Sequence, residues 1–328
     1  IDGSRKEDDA PRWMNHYYDH VYNRGLSYDF AIDPLINLGM WQKSKDWSQD
    51  SNNQNKLTYK IPTAIASILT AIQQKKIDAI STETDFTWQR AINFYIQDDK
   101  EKAMFMLGHI LHLIEDSSVP DHTRNDAHPG DSPYENWTKQ FILNNPDKNL
   151  IQRLQNKNPI VLSDLNSYFD GLAKYSNNNF YSKDTIGIQS GYKIPEPDYI
   201  QKEGDYFYGF KNDKEGGDYR LFIKEKQGLF DTVIINENNI SLLLNKNAGD
   251  KVILDYWSRL SVKSVQYGAG VINLFFQEAE KAKKDSQLIT QNKDISLTAQ
   301  VISIFSNMAN SIGSFFSGIF GNSQNFSQ

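Results

Sequence analysis

The sequence predicts a mainly α-helical protein with a small β-hairpin insertion. Several segments repeat apolar residues at the three- and four-residue spacing of a buried helix face, and one later segment alternates around a glycine-rich turn. The chain has 328 residues, of which 39% are hydrophobic and 23% are charged, so it can bury a large core. It contains no cysteine, which excludes disulfides and thiolate metal ligands.

The first part of the chain is predicted to begin irregularly and then to form three helices. Residues 1–56 lack helical periodicity and are rich in Asp, Asn, Ser and Trp, so we expect loop with short turns there. A first helix is expected over Ile61–Ile72, a second over about 83–96, and a third over Asp98–Asp116. Asp98 and Glu101 have the spacing of a capping box at the start of the third helix.

Beyond the third helix, the sequence predicts further helices interrupted by one insertion. Pro120 is expected to end the third helix, and Ser132–Glu135 to start the next one. Residues 175–245 shift in composition toward Tyr, Gly, Asn and Lys, and the alternation on either side of 212–217 predicts a β-hairpin. Helical periodicity returns over about 248–283, which we expect to form core helices.

The C-terminal segment over 284–328 differs in composition from the predicted helical domain over 1–283. No charged residue occurs from Leu297 to Gln328, and large apolar residues form a helical stripe opposed by Ser and Asn. The polar interruptions argue against a membrane span. The stripe over 297–320 fits a helix on a lipid interface, and the alternatives are a helix docked on the domain or a partly ordered tail.

The histidines are concentrated in two stretches of the chain. Four of the six lie between residues 109 and 128, and the other two, His16 and His20, lie in the acidic and aromatic stretch EDDAPRWMNHYYDH. Carboxylates are interleaved with them in both stretches, so the segments offer the nitrogen and oxygen ligands that zinc accepts. This distribution indicates a catalytic site with more than one metal ion.

The third helix carries the strongest part of this pattern. His109, His112 and Asp116 fall on one face, opposite an apolar face, so the polar stripe must be satisfied inside the fold. His112 and Asp116 have the i, i+4 spacing of two ligands on a helix. The alternative is a hydrogen-bonded core histidine with an ordinary helix-end aspartate. His109 either lines the site or donates a hydrogen bond behind the ligands, and His20 is expected at the surface or behind them.

Three more candidates follow the third helix. His122 and His128 lie on a loop flanked by prolines, where restricted backbone angles can hold ligands in place, and the alternative is two solvated histidines. Glu135 can point at a metal held by that loop. As the third residue after Ser132 it also fits a helix cap, which alone would explain it.

Three segments resemble the zinc-dependent phospholipase C superfamily, which includes fungal single-strand-specific nucleases. LGHILHLIEDSSVPDHTRNDAHPGDSPYENW is similar to its core motif, with His-x3-Asp-x5-His, a further His and then a carboxylate after Tyr. GSRKEDDAPRWMNHYYD resembles the upstream segment of that superfamily, and DYWSRLSVKSVQYGAGVINLFF resembles its late core helix. The resemblance covers residues 3–20, 88–137 and, more weakly, 252–276, and it implies a multi-helix bundle.

The resemblance also implies a set of metal ligands. One zinc would be bound by Asp8, His16, His112 and Asp116, and a second by His122, His128 and Glu135. In the family the aspartate matching Asp116 bridges to a third zinc, whose other ligands would lie upstream of Ile1. The choice of Asp8 over Glu7 or Asp9 depends on its spacing from Gly3. Asp8 could also act as general base, and Asp19 is a further candidate carboxylate.

The expected function is that of a zinc-dependent phosphodiester hydrolase, with phospholipase C as the favoured activity and, by resemblance, a secreted or cell-surface location. The net charge of −6 and the lack of a long basic run favour lipid over nucleic acid as the substrate. One alternative is a single-strand nuclease, for which Trp13, Tyr17 and Tyr18 could stack bases. Another is a non-catalytic module, stabilised by zinc, that binds a surface or membrane.

Overall fold

The computed structural model follows the predicted order of elements, from a polar N-terminal region to a long helix late in the chain. It describes residues 1–9, 12–27, 42–55, 84–126, 132–144, 148–182, 192, 195–204, 206–214, 216–224 and 249–288. The helix predicted over Ile61–Ile72 and the apolar stripe over 297–320 lie outside these residues.

The N-terminal region contains short helices where the sequence predicted loop. They are α1 (Asp2–Glu7), a 3-10 helix (Arg12–Asn15), α2 (Ser44–Trp47) and α3 (Ser51–Asn55). Helices this short show no apolar periodicity and are marginal alone, so tertiary packing must stabilise them. The prediction of loop was wrong here because burial against the rest of the fold, and not local pattern, decides the conformation.

The next two helices end where they were predicted to end but begin about five and two residues later than predicted. Thr87 caps α4 (Trp88–Ile96), and Asp99 caps α5 (Lys100–Asp116) by accepting a hydrogen bond from the Lys102 amide at 3.2 Å. The predicted cap at Asp98 was wrong, since that residue takes a left-handed backbone conformation with φ of 64° just before the helix.

In the described part of the chain, four helices lie between α5 and the sheet. They are α6 (Pro120–Thr123), α7 (Pro133–Asn144), α8 (Lys148–Leu154) and α9 (Leu165–Asn179). Pro120 does not end α5, which stops at Asp116. It occupies the first turn of α6, where its missing N–H costs no hydrogen bond.

The predicted hairpin is confirmed as part of a three-stranded antiparallel sheet with the order β1-β2-β3. The strands are β1 (Tyr199–Glu203), β2 (Tyr206–Asp213) and β3 (Gly217–Lys224), and the β2–β3 turn lies in the predicted 212–217 segment. β1 was not predicted, because its side chains are largely exposed and carry little apolar alternation. The sheet region begins after α9, which extends to Asn179.

The last described helix, α10 (Gly249–Leu288), packs against α4, α5, α9 and β3. The larger apolar core lies between these helices and includes Trp88, Met106, Ile110, Ile114, Phe169, Leu172 and Phe275. A second cluster joins the sheet to the start of α10 through Tyr208, Leu221, Phe222, Tyr256 and Leu260. The protein is thus mainly α-helical with a small antiparallel sheet, as predicted.

The position of α5 in this core orients its polar stripe. Its apolar face is buried in the larger cluster, while α1 packs on its other side. The approach is close enough that a Cβ on Gly3 would lie 1.8 Å from the carbonyl oxygen of Phe105. Gly108 faces the same contact, where a Cβ would lie 3.0 Å from the amide of Ser4. Two glycines therefore allow the first turn of α1 to pack closely against α5 beside His109.

Candidate metal centre

Short elements bring the predicted ligands to the C-terminal end of α5. Asp8 directly follows α1, and His16 directly follows the 3-10 helix. His112 and Asp116 lie in the last two turns of α5. The remaining described candidates lie on α6 and in the first turn of α7. Residues far apart in sequence therefore meet at one point.

Asp8, His16 and His112 form a group that could bind a metal ion, which we call the first ligand group. Each offers one ligand atom, and these atoms all lie within 4.8 Å of one another. His112 Nε2 lies 3.3 Å from Asp8 Oδ1, and His16 Nδ1 lies 3.9 Å from the same oxygen. Both imidazoles are buried, whereas the Asp8 side chain is 54% exposed, so the group has an accessible side.

Asp116 connects this group to a second one. Its Oδ2 lies 3.0 Å from His16 Nδ1 and 3.3 Å from His112 Nε2, while its Oδ1 lies 3.5 Å from His122 Nδ1. His122 Nε2 in turn lies 3.3 Å from Glu135 Oε1. We call His122 and Glu135 the second ligand group. Its third predicted member, His128, lies outside the described residues.

The first ligand group is oriented by hydrogen bonds on the sides of the imidazoles that face away from it. His16 Nε2 donates to the backbone carbonyl of Glu7 at 3.1 Å, which leaves the Nδ1 lone pair directed at the carboxylates. The Ser4 hydroxyl lies 3.5 Å from His112 Nδ1. Such partners fix the tautomer and ring orientation of metal-binding histidines.

The carboxylates of the site oppose the effect of burial on the pKa values of the two histidines. Burial disfavours an imidazolium, yet the carboxylate of Asp116 raises the pKa of His16, and Asp116 with Asp8 raises the pKa of His112 well above its usual value. The carboxylates therefore create a negative potential at the two imidazoles. This potential attracts a cation, which must displace protons from the histidines in order to bind.

A buried network lies behind the first ligand group. The Glu7 carboxylate accepts hydrogen bonds from Arg12 Nε at 2.6 Å, from Trp47 Nε1 at 2.8 Å and from His109 Nδ1. Burial alone would raise the pKa of Glu7, but Arg12 and His109 lower it well below its usual range. Burial lowers the pKa of His109 to about 4, so this imidazole is neutral at neutral pH. His109 thus acts behind the ligands, which was one of its two predicted roles.

The three neighbouring acids of the N-terminal segment have different environments. Asp8 faces the histidines, Glu7 is turned into the buried network, and Asp9 pairs with Lys6 at 3.2 Å. The choice of Asp8 from the family spacing agrees with this placement. The role of Glu7 was missed, because the partners that define it come from positions as distant as Trp47 and no local pattern identifies them.

Two other predicted residues lie elsewhere. Asp19 is buried among Arg24, Tyr192 and the backbone amides that follow it, so its carboxylate is satisfied away from the ligand groups. The interpretation of Asp19 as a further metal carboxylate was wrong. His20 is half-buried beside Asp19 and Lys174, and burial lowers its pKa.

Two buried atoms of the site lie among other candidate ligand atoms. His112 Nε2 and Asp116 Oδ2 lie 3.3 Å apart without a well-directed hydrogen bond to a described residue, and Oδ2 lies 3.0 Å from His16 Nδ1. An unsatisfied buried polar atom costs about 1–3 kcal/mol. Nitrogen and oxygen donors facing a common point are the ligands of zinc and related divalent ions. The residues present therefore fit a bound cation.

Comparison with known proteins adds no relative to this description. No protein-family model, curated protein or solved structure matches the chain. Within the described part of the chain, no helix combines the length and apolar character needed to cross a membrane.

Proposed function

We propose that the chain is a zinc-dependent phosphodiester hydrolase of the phospholipase C type. The observation that carries this proposal is the two-sided environment of Asp116, with His16 and His112 at one carboxylate oxygen and His122 at the other. A carboxylate shared in this way is suited to two neighbouring cations, and pairs of metal ions are common in enzymes that cleave phosphodiesters.

The donor set indicates which residues would hold the ions. One zinc would be held by the first ligand group with Asp116, and another by the second ligand group with His128. Neutral imidazoles combined with carboxylates suit zinc. The chemistry that zinc supplies when bound is Lewis-acid activation of water and neutralisation of charge on the phosphodiester.

The protein's own residues would position the ligands and accept a proton. Buried His16, His112 and His122 form a fixed wall that positions ligands and excludes water on that side. Asp8 is the exposed member, and its Oδ1 faces His112. Its other oxygen is left to accept the proton of an attacking water, so Asp8 would be the general base.

Phospholipid is the favoured substrate class. The net charge is −6, which opposes nucleic-acid binding through phosphate contacts alone. Of the aromatics that could stack bases, Tyr17 and Tyr18 are buried, and Tyr18 donates a hydrogen bond to Asp170. Of the three, Trp13 alone is not buried but half-buried, so this support for a nuclease is weaker than the sequence indicated. By family resemblance, the protein would be secreted or cell-surface.

The test combines zinc content with activity. Protein purified without chelator should contain two or more zinc ions per chain and should hydrolyse phosphatidylcholine more efficiently than single-stranded DNA. Asp116→Asn should release zinc and lower hydrolysis by at least about a hundredfold, since changing groups merely behind metal ligands already costs 10–100-fold. Asp98→Asn makes the same chemical change at a side chain that is 74% exposed, and it should leave both properties unchanged.

The alternatives have distinct outcomes. Preferred hydrolysis of single-stranded DNA would identify a nuclease, and zinc binding without hydrolysis of either substrate would identify a non-catalytic module. Less than one zinc per chain, without stabilisation by added zinc, would overturn the metal assignment itself. His20→Ala should be mild, and damage equal to that of Asp116→Asn would contradict the ligand set.

A further inference from the structure

A cationic cavity lies away from the two ligand groups, at the junction of α8, α9, the β2–β3 turn and α10. Its volume is about 190 Å³, and none of the described candidate ligands lines it. Its wall includes the side chains of Arg153, Lys157, Arg259, Lys263 and Asp213. These five groups carry a formal charge of +3, in a chain whose net charge is −6.

Four cations meet at the cavity from two elements. Arg259 and Lys263 are one turn apart on α10, whereas Arg153 lies in the last turn of α8 and Lys157 lies three residues beyond the end of that helix. The carboxylate of Asp213 accepts a hydrogen bond from the hydroxyl of Tyr175 at 3.1 Å and lies 3.9 Å from Arg259 Nε. Among the described residues that line the cavity, four are cationic and one, Asp213, is a carboxylate.

Arg259 supplies a fixed positive charge inside the cavity wall. Its side chain is buried, and its Nη2 donates to the backbone carbonyls of Gly216, Gly217 and Asp218 at 3.0, 3.0 and 2.9 Å. These acceptors are neutral. The described carboxylates that act on the guanidinium charge are those of Asp255 and of Asp213, which lies 3.9 Å from Nε. A buried charge in a concave site is weakly screened and acts more strongly on a ligand than a surface charge does.

The other three cations differ from Arg259 in accessibility. Arg153 and Lys157 are exposed at the rim, and Lys263 is half-buried with its Nζ 5.5 Å from the centre of the Tyr175 ring. Flexible ammonium groups and a guanidinium fork at the rim of a positive cavity are suited to the tetrahedral oxygens of a phosphate group.

We propose that this cavity binds a phosphate group, carried by free phosphate or by an anionic lipid. The binding site would be separate from the metal centre, so the proposal goes beyond the hydrolase function. Arg259 would provide the field that attracts the anion, and Lys263, Lys157 and Arg153 would provide the hydrogen-bond donors.

The test is calorimetric titration of the full chain with inorganic phosphate, at constant ionic strength balanced with chloride. Titrations of zinc-saturated and chelator-treated protein distinguish the cavity from phosphate bound at the metal centre. We expect one zinc-independent phosphate site per chain. Lys263→Gln should weaken it at least about tenfold, equivalent to about 1.4 kcal/mol. Lys281→Gln, an exposed lysine about 27 Å further along α10, should leave it unchanged.

A second experiment, binding to lipid vesicles, identifies the source of the phosphate group. Loss of binding to vesicles containing phosphatidic acid in Lys263→Gln, with phosphatidylcholine vesicles as the reference, would assign a lipid head group. Response to inorganic phosphate alone would assign a soluble ligand. Arg153→Gln, at the exposed rim, repeats the test if Lys263→Gln changes the melting temperature. Binding of neither probe, or equal weakening by Lys263→Gln and Lys281→Gln, would overturn the proposal, whatever the zinc content.

Discussion

Replacing Glu7 by glutamine tests whether the metal centre depends on the buried network behind it. The Glu7 carboxylate is fully buried and accepts hydrogen bonds from Arg12, Trp47 and His109. Its backbone carbonyl accepts the hydrogen bond that orients His16. Glutamine keeps the shape but replaces one accepting oxygen by a donating amide group. At least one of the three donors then loses its acceptor.

The expected cost follows from the burial of Arg12. The side chain of Arg12 is only 7% exposed, and removing one partner of a buried ion pair costs about 3–5 kcal/mol because the other charge stays buried. Arg12 keeps its hydrogen bonds to the Thr84 carbonyl at 3.0 Å and to Gln54 Oε1 at 3.1 Å. Because these acceptors remain, we expect the loss of unfolding free energy to be near the lower end of that range, about 3 kcal/mol.

The assay is urea unfolding, with and without zinc, together with zinc affinity measured by chelator competition. Loss of the Glu7 charge should weaken zinc binding about 10–100-fold, because the carboxylate anchors the residue whose backbone carbonyl orients His16. Lys6→Gln is the matched control on the same helix. Its ion pair with Asp9 has a lysine side chain that is 58% exposed, so the cost should stay below about 1 kcal/mol.

The reasoning would be refuted if the two variants lost the same stability, or if Glu7→Gln bound zinc as tightly as the original protein. The first result would mean that the buried pair contributes no more than a surface pair. The second would mean that the orientation of His16 does not depend on the network.

The remaining predictions concern packing and capping. Gly3→Ala should cost at least about 1–3 kcal/mol in urea unfolding, because its Cβ would lie 1.8 Å from the Phe105 carbonyl oxygen. Gly268→Ala is its control, because a Cβ there would lie 3.8 Å from Leu111 Cδ2, an ordinary contact. Alanine should stabilise that helix by up to about 1 kcal/mol, so equal losses would contradict the close contact at Gly3. Ser132→Ala removes the hydroxyl that accepts the Glu135 amide at 3.1 Å, and it should cost about 1 kcal/mol in the same assay. An unchanged midpoint would show that this cap contributes nothing.

The sequence predicted the parts of the site that depend on local pattern. The spacing of His112 and Asp116 on a strongly periodic helix predicts a shared face, and that face is observed. Ser132 caps α7 as predicted, and Glu135, whose cap position alone would explain its presence, also lies 3.3 Å from His122. The cap and the ligand interpretations of Glu135 are therefore compatible.

The parts that the sequence did not predict depend on contacts between distant segments. The N-terminal helices are too short to show a period, and α1 is positioned by Gly3 against α5. The environments of Glu7 and Asp19 follow from partners far along the chain, such as His109 and Tyr192. Composition marks all of these acids as candidates, and only their partners separate ligands from structural groups.

A comparison among the buried acids of this one chain supports that separation. Glu7 and Asp19 are buried, and each is satisfied by a neighbouring arginine and by further hydrogen-bond donors. Asp116 is also buried, but its described neighbours are imidazoles, and its Oδ2 makes no hydrogen bond with a described residue. At Glu7 and Asp19 the fold supplies a permanent cation, Arg12 or Arg24, from its own side chains. At Asp116 it supplies histidines, whose protons balance the carboxylate until a metal ion displaces them, so a permanent cation at this site would come from solution.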